Sequence, residues 1–249
     1  MLDPILEIRN LRFTYPDGTV ALRGVDLEVR AGETVALLGP NGAGKSTLLL
    51  NLNGILRGEG FIRVAGEVLE ERNLRRIRQK VGLVFQNPDD QLFMIRAYDD
   101  VAFGPANAGL PAAEVEDRVK QALGQVGLAG YEERAPYHLS SGEKKRLSIA
   151  TVLSMDIELL VLDEPSSNLD PRARRQLINL LRELKSADFQ GRKLTQIIAT
   201  HDLALVWELC PRSVILDGGK VVADGPTTSL LRDQTLLERH GLELPGMIF

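Results

Sequence analysis

The sequence contains a single cysteine, Cys210, among its 249 residues, which excludes an internal disulfide and any small secreted fold that depends on one. A reducing compartment is the natural expectation. No apolar run approaches the roughly 20 residues that a membrane-spanning helix needs. The opening Met1-Leu2-Asp3-Pro4 lacks the basic segment and apolar stretch of a secretion signal. Any role at a membrane is therefore expected to be peripheral. Positive charge is not in excess either. Thirty Lys and Arg against 34 Asp and Glu leave a formal net charge of −4, so no overall field draws a nucleic acid. Internal repeats, low-complexity tracts and long linkers are also missing. What is present, 44% hydrophobic and 26% charged residues, is the composition of a globular chain long enough to bury a substantial core.

Alternating β-like runs and turn signals fill the first forty residues: Ile5 to Tyr15, the turn Pro16-Asp17-Gly18, Val20 to Arg30, then Thr34 to Leu38. They read as an antiparallel edge feeding a core strand. Leu48, Leu49, Leu52 and Ile55 have helical spacing from Lys45 onward, and Asn53-Gly54 to Gly60 closes that helix. Val81 to Phe85 is another short strand. Residues from about 88 to 155 change character. Helical patterns at Glu114 to Val126 and Lys144 to Leu153, separated by Gly, Pro and Ser clusters, predict a helical lobe inserted into an α/β core. Beyond it, Leu159 to Leu162, a helix from Pro171 to Lys185 and the run Thr195 to Thr200 imply parallel βαβ units. Val214 to Val222 reads as a hairpin turning at Asp217-Gly218-Gly219.

Two local patterns carry chemistry. Gly39-Pro40-Asn41-Gly42-Ala43-Gly44-Lys45-Ser46 fits the phosphate-loop pattern G-x-x-x-x-G-K-[ST], with an apolar strand before it and a helix after it. Gly42 and Gly44 permit the backbone angles that turn consecutive N–H groups inward, and the helix N-terminus adds partial positive charge for a polyphosphate. Lys45 would reach the β and γ phosphates, the Ser46 hydroxyl would bind Mg²⁺, and Thr47 would lie beside the α phosphate. The plainer alternative is a Gly-rich turn capping a helix. The second pattern is the strand Leu159 to Leu162, which delivers Asp163 and Glu164 at its carboxyl end, where open α/β sheets bind ligands. Asp163 is expected to act through Mg²⁺, and Glu164 as general base toward an attacking water. A surface Asp-Glu turn stopped by Pro165 is the plain reading of that pair.

A third segment, Leu139-Ser140-Ser141-Gly142-Glu143-Lys144-Lys145-Arg146, resembles the LSGGQ signature of ATP-binding-cassette ATPases and lies just upstream of the acidic strand. The resemblance extends over essentially the whole chain and implies several roles. Tyr15 matches the aromatic that stacks on adenine. Gln86 matches the glutamine that senses Mg²⁺ and the attacking water. Ser167-Asn168-Leu169-Asp170 matches the D-loop, and His201 the switch histidine at the γ phosphate. The family's fold is a P-loop NTPase core with a mainly parallel sheet, an N-terminal antiparallel β subdomain and an inserted helical subdomain. On this chain that gives one ABC ATPase domain over 1–249: core 1–87 and 156–225, signature subdomain 88–155 and C-terminal extension 226–249. ATP and Mg²⁺ are the implied cofactors. Ser140, Ser141 and Gly142 lead into a helix N-terminus that can meet an anion, in this family the ATP of a second cassette placed head to tail. Ser140-x-x-Glu143 also reads as a capping box, with Glu143 folded back onto the Ser140 N–H. Likewise Asp202 reads as a cap for Leu203 to Leu209, and Asp170 as the cap before Pro171. Lys144, Lys145 and Arg146 read as a solvated helix face, as do Arg72, Arg75, Arg76, Arg78 and Lys80.

Phe85 to Phe93 and Asp100 to Pro105, with the tail Leu236 to Pro245, are similar to the ATPases of energy-coupling-factor importers, including those for cobalt and nickel ions. That likeness implies a second ATPase subunit, a transmembrane coupling protein, a substrate-binding membrane protein and a position on the cytoplasmic face of the membrane. Asp89 and Asp90, next to Leu92, Phe93 and Met94, would meet a basic amphipathic coupling helix. The alternative buries those apolar side chains in the helical lobe. Roughly 90 residues without sustained heptads separate phosphate loop and signature, too few for the long coiled coil of cassette ATPases that act on DNA.

Overall fold

The computed structural model describes residues 4–189 and 192–242. Along the chain run β1 (Leu6–Thr14), β2 (Val20–Val29), β3 (Thr34–Leu38), α1 (Lys45–Leu52), β4 (Glu59–Val64), β5 (Glu67–Val68), α2 (Leu74–Lys80) and β6 (Val81–Val84). Three helices follow, α3 (Ala97–Ala108), α4 (Ala112–Gln125) and α5 (Ser141–Leu153). The chain then returns through β7 (Leu159–Asp163), α6 (Pro171–Ser186), the short strands β8 (Asp188–Phe189) and β9 (Arg192–Lys193), β10 (Thr195–Ala199) and α7 (Leu203–Leu209). It ends in β11 (Arg212–Asp217), β12 (Lys220–Pro226), α8 (Thr227–Leu230) and α9 (Gln234–Arg239). Part of the tail likeness, residues 243–245, and residues 243–249 of the expected extension lie outside the described residues.

Strands β2-β1-β4-β5 form an antiparallel sheet, and β12-β11-β3-β10-β7-β6 form the main sheet, parallel except for β12. Period-2 alternation in the main sheet feeds two cores. Ala36, Leu38, Leu160, Leu162, Ile198 and Ile215 join the cluster that contains the helical-lobe residues and α6, α7 and α9. Their neighbours Val35, Leu37, Leu159, Val161, Ile197, Val214 and Leu216 pack with α1 and the antiparallel sheet. Both faces of the main sheet are covered. Each fully buried Leu or Ile contributes about 1.5–3 kcal/mol relative to exposure, so neither face is spare. Because β3, β10, β7 and β6 run parallel and in register, the segments leaving their carboxyl ends all emerge on one edge. Residues 39–44, 85–86, 164 and 200–201 are gathered there.

Two elements differ from the sequence-based expectation. Residues 59–68 hold β4 and β5, which the sequence did not disclose beyond the break from Asn53-Gly54 to Gly60. They form because Leu6, Glu7 and Ile8 pair across to Val64, Arg63 and Ile62, a partnership made far along the chain. Helix α3 was not anticipated either, since Gly104 and Pro105 sit inside it. The carbonyl of Val101, left without the N–H that proline lacks, instead accepts from Ser154 Oγ at 2.9 Å. At Gly104 an added Cβ would lie 2.3 Å from Met155 Sδ, so a larger residue there would have to displace the Met155 side chain.

Candidate functional site

Gly42 and Gly44 take φ of 79° and 104°, values that side chains rarely adopt, and Gly44 is the N-cap of α1. A cavity of about 420 Å³ opens above them, lined by Asn41, Lys45, Ser46, Thr47, Tyr15 and the residues at the other strand ends. Lys45 is buried, and its ammonium donates to the carbonyls of Gly39 at 2.7 Å and Pro40 at 3.1 Å. Burial pushes its pKa down, while the charges of Glu164 and Asp163 push back. Tyr15 reaches the loop too: its hydroxyl shares a 2.9 Å hydrogen bond with Thr47 Oγ1, and Phe13 meets its ring edge-on. Tyr15 and the start of α1 after the phosphate loop are thereby tied to each other.

Across the cavity, β7 ends in Asp163 and Glu164. Asp163 is raised in pKa by burial, partly offset by a hydrogen bond from Ser46, and its Oδ1 has no partner among the described residues. Glu164 sits at φ 43°, a strained angle for a side-chain-bearing residue. Its N–H donates to Ala199 at 2.8 Å, and its carbonyl accepts from Ser167 N at 3.2 Å and Ser167 Oγ at 2.8 Å. The carboxylate is aimed by the end of β10. Oε2 accepts from Thr200 Oγ1 at 3.0 Å and His201 N at 3.3 Å, and Oε1 lies 2.9 Å from His201 Nδ1. Thr200 was no candidate in the sequence, where it reads as the last residue of a strand.

The signature lies elsewhere. Ser140, Ser141 and Gly142 line no part of the 420 Å³ cavity, whereas Ser141 borders a neighbouring cleft with Gln86, Asn87, Ser167 and Asn168. The capping box is formed. Ser140 N donates to Glu143 Oε2 at 2.9 Å and Glu143 N to Ser140 Oγ at 3.3 Å, with Tyr131 adding a 2.8 Å bond to Glu143 Oε1. These hydrogen bonds from Ser140 and Tyr131 hold the Glu143 carboxyl down to about 2. Its charge is spent on its own helix. Asp170 caps α6 through a 2.8 Å bond from Ala173 N, and also lies outside the cavity. Thus Lys45, Ser46, Thr47, Tyr15, Gln86, Asp163, Glu164 and His201 meet in one chamber, and the signature and Asp170 do not.

Residues 22–167, containing both the phosphate loop and the signature, match the ABC transporter family. The chain belongs to that family. It is an ABC ATPase, with the mixed α/β fold of the family's cassettes. EcfA of Methanothermobacter thermautotrophicus, an energy-coupling factor transporter ATP-binding protein, is 49% identical over 244 residues, 97% of this chain and 77% of that protein. CbiO1 from Clostridium perfringens, part of the ABC transporter complex CbiONQ, has a TM-score of 0.83 at 37% identity, covering 98% of this chain and 97% of that one. The cassette MJ0796, solved as a dimer in a post-hydrolysis state with ADP and Pi, gives 0.78 at 25% identity over 89% and 98% of the two chains.

The cassette corrects one reading and sharpens two. Lys145 is not on a solvated face: it is 3% exposed, and its ammonium donates to the carbonyls of Gln86 and, at 3.3 Å, Glu164. Burial lowers its pKa to about 8 against the pull of Asp163 and Glu164. The signal was in the spacing, because Gly142, Lys145 and Ile149 share the buried stripe of α5. Lys144 and Arg146 also have partners, Asp89 at 2.6 Å and Gln176 at 2.8 Å. Asp89 pairs with Lys144 while its side chain stays 63% exposed. Next to it Leu92 is buried while Phe93 is 63% exposed and Ile95 79%, so the apolar run divides between lobe and surface. Asp202 caps α7 as expected, and also receives the fork of Arg174. Among the described residues no helix is long and apolar enough to cross a membrane.

Proposed function

We propose that this ABC ATPase binds ATP in the chamber above Lys45, hydrolyses it with Glu164 as general base, and drives an importer of the energy-coupling-factor type. The observation that carries the reading is the separation just described. One chain gathers phosphate loop, acidic strand end and His201 in one cavity, and leaves its signature outside it, at a neighbouring cleft. The chamber is then one half of a site. The other half is Ser140, Ser141 and Gly142 of a second cassette, a homologous or identical subunit placed head to tail, with Asp170 at the seam. MJ0796, solved as a dimer, supports that arrangement.

In this scheme Tyr15 stacks on adenine, and the N–H groups from Gly39 through Gly44, with Asn41, cradle the phosphates. Lys45 turns from the Gly39 and Pro40 carbonyls to the β and γ phosphates, and Thr47 serves the α phosphate. A water aligned by Gln86 and His201 gives its proton to Glu164 as its oxygen bonds the γ phosphorus and the bond to the β–γ bridging oxygen breaks. The residues fit a magnesium ion: Asp163 keeps a buried oxygen without a partner beside the Ser46 hydroxyl, with Gln86 lining the same chamber. Mg²⁺ held there would neutralise charge on the β and γ phosphates.

Likeness to EcfA and CbiO1 supports the energy-coupling-factor class; cobalt or nickel ions or a vitamin are the cargo we propose. The partners are a transmembrane coupling protein and a substrate-binding membrane protein, met from the cytoplasmic face, and not a nucleic acid. Phe93, Ile95 and Phe103, exposed on the helical lobe with the two rings 5.2 Å apart, supply the apolar contact. The deciding experiment is Glu164→Gln. A general base supplies roughly 10²–10⁴ in rate, so ATP binding should survive while turnover falls by about that factor. Turnover within a factor of about two of the parent would discard Glu164 as the base.

A further inference from the structure

Lys145 is a charged side chain in an unusual place. It stands on α5, the helix that begins at the signature, yet its ammonium is inside the protein, between the Gln86 segment that follows β6 and the Glu164 segment that follows β7. An ammonium has three protons and no acceptor, so it can hold two carbonyl oxygens at once, as a neutral aliphatic side chain cannot. The two carbonyls are not equally dependent on it. That of Glu164 also accepts from Ser167 N and Ser167 Oγ, which supports the strained φ at this residue. For the Gln86 carbonyl, Lys145 is the sole partner among the described residues. Helix α5 is in turn fixed against α6, because an added Cβ at Gly142 would lie 2.8 Å from Ala173 Cβ. Asp163 and Glu164 offset the buried charge.

We propose that Lys145 is a positioning residue for hydrolysis, which joins the signature helix to the backbones of Gln86 and Glu164 and so sets the gap in which the attacking water stands. This rests on the hydrolytic reading of Glu164 given above. Displacement of α5 by a docked partner is thereby delivered to both sides of the water at once, without passing through either Gln86's or Glu164's side chain. Lys145 touches no substrate atom itself. Its loss acts mainly through Gln86, whose carbonyl has no other partner among the described residues.

The test is steady-state ATPase of the full-length chain with Lys145→Met, which keeps the apolar stem and removes the donors, and Lys145→Gln, which keeps a neutral donor. Misplacement of a reacting group by about 1 Å costs up to roughly 10²-fold. Lys145→Met should lower kcat by about that factor with the KM for ATP unchanged, and Lys145→Gln should recover part of it. Combined with Gln86→Ala, Lys145→Met should cost little more than either change alone, the non-additivity of residues that act as a unit. A kcat within about twofold of the parent, a defect confined to KM, or additive losses in the double variant would each overturn the proposal. If Lys145→Met fails to fold, Lys145→Gln and its double variant with Gln86→Ala carry the same comparison. Glu164→Gln run alongside separates the failures: an active Glu164→Gln removes the hydrolytic reading, whereas an inactive one beside an unimpaired Lys145→Met removes only this inference.

Discussion

Removing the guanidinium of Arg174 should loosen the segment that carries His201, and the structure gives the size of the effect. Arg174 Nε donates to Asp202 Oδ2 at 2.7 Å and an Nη to Oδ1 at 2.8 Å, a fork from α6 to the residue after His201. Burial alone would raise the Asp202 pKa, but Arg174 and the Leu205 N–H more than offset it, so the carboxyl lies below its ordinary value. Two charge-assisted bonds are worth roughly 1.5–3 kcal/mol each in full burial. Here the side chains are 24% and 20% exposed, and Asp202 keeps Ser166 Oγ and Leu205 N at 3.0 Å each. Arg174→Ala should therefore cost about 2 kcal/mol. For a chain of this size that is a fall in Tm of about 4–8 °C, measured by calorimetry or circular dichroism. Arg174→Lys, a point charge without the fork, should restore about half. Turnover should drop further than stability alone explains, because the segment places His201, whose N–H and Nδ1 meet the Glu164 carboxylate. An unchanged Tm in Arg174→Ala, or full recovery in Arg174→Lys, would refute the reasoning.

Asp163→Asn removes a buried charge with an unsatisfied oxygen, so the nucleotide-free chain should be at least as stable, by up to about 1 kcal/mol, while Mg²⁺-dependent ATP binding measured by calorimetry is lost. Glu143 has a folded pKa of about 2 against an ordinary 4.5, so its contribution is complete above pH 4.5 and disappears as pH falls toward 2. Screened by solvent, this is worth about 1 kcal/mol; denaturant titrations should show the parent losing that advantage over Glu143→Gln across this window. Phe93→Asp, at a side chain 63% exposed, should leave stability within about 0.5 kcal/mol and ATP binding unchanged, but abolish recovery of the cassette with membrane proteins in affinity capture.

What the sequence disclosed were features with local causes. The phosphate loop, the apolar strand ending in Asp163-Glu164, the Ser140–Glu143 capping box and the Gly218-Gly219 turn are each written in fewer than about ten consecutive residues, and propensity and pattern govern at that range. That the main sheet is largely parallel followed from βαβ alternation, whereas its strand order β12-β11-β3-β10-β7-β6 did not. Features with distant partners stayed hidden. Strand β4 exists because β1 offers it an edge, and α3 tolerates Pro105 because Ser154, on the neighbouring α5 end, supplies the missing donor. The candidate chamber was legible where one motif fills it and illegible where two segments meet. Thr200 and Lys145 gain meaning only because β10 and α5 pack beside β7. Lys145 misled because charge is ordinarily a sign of exposure, and only the positions of Gly142 and Ile149 argued the reverse.

Under the proposed function, the same packing explains why the two halves of the site border different cavities of one chain. Helix α5 starts at the signature and α6 starts at the Asp170 cap, and Gly142 lets the two approach to a distance that an alanine would obstruct. Both N-termini are therefore fixed as one surface. The phosphate loop, by contrast, is fixed to β3 and faces Glu164 at the edge of the main sheet. A surface that presents helix N-termini favours an anion, and under the proposed function a chamber that gathers Lys45, Asp163 and Glu164 favours closure against water. Within one chain neither need is met by the other half, since the two border different cavities. Under the proposed function a second cassette facing the first would meet both at once, and Lys145, reaching from the signature helix to the backbone of Glu164, would be where contact on one surface alters hydrolysis in the other.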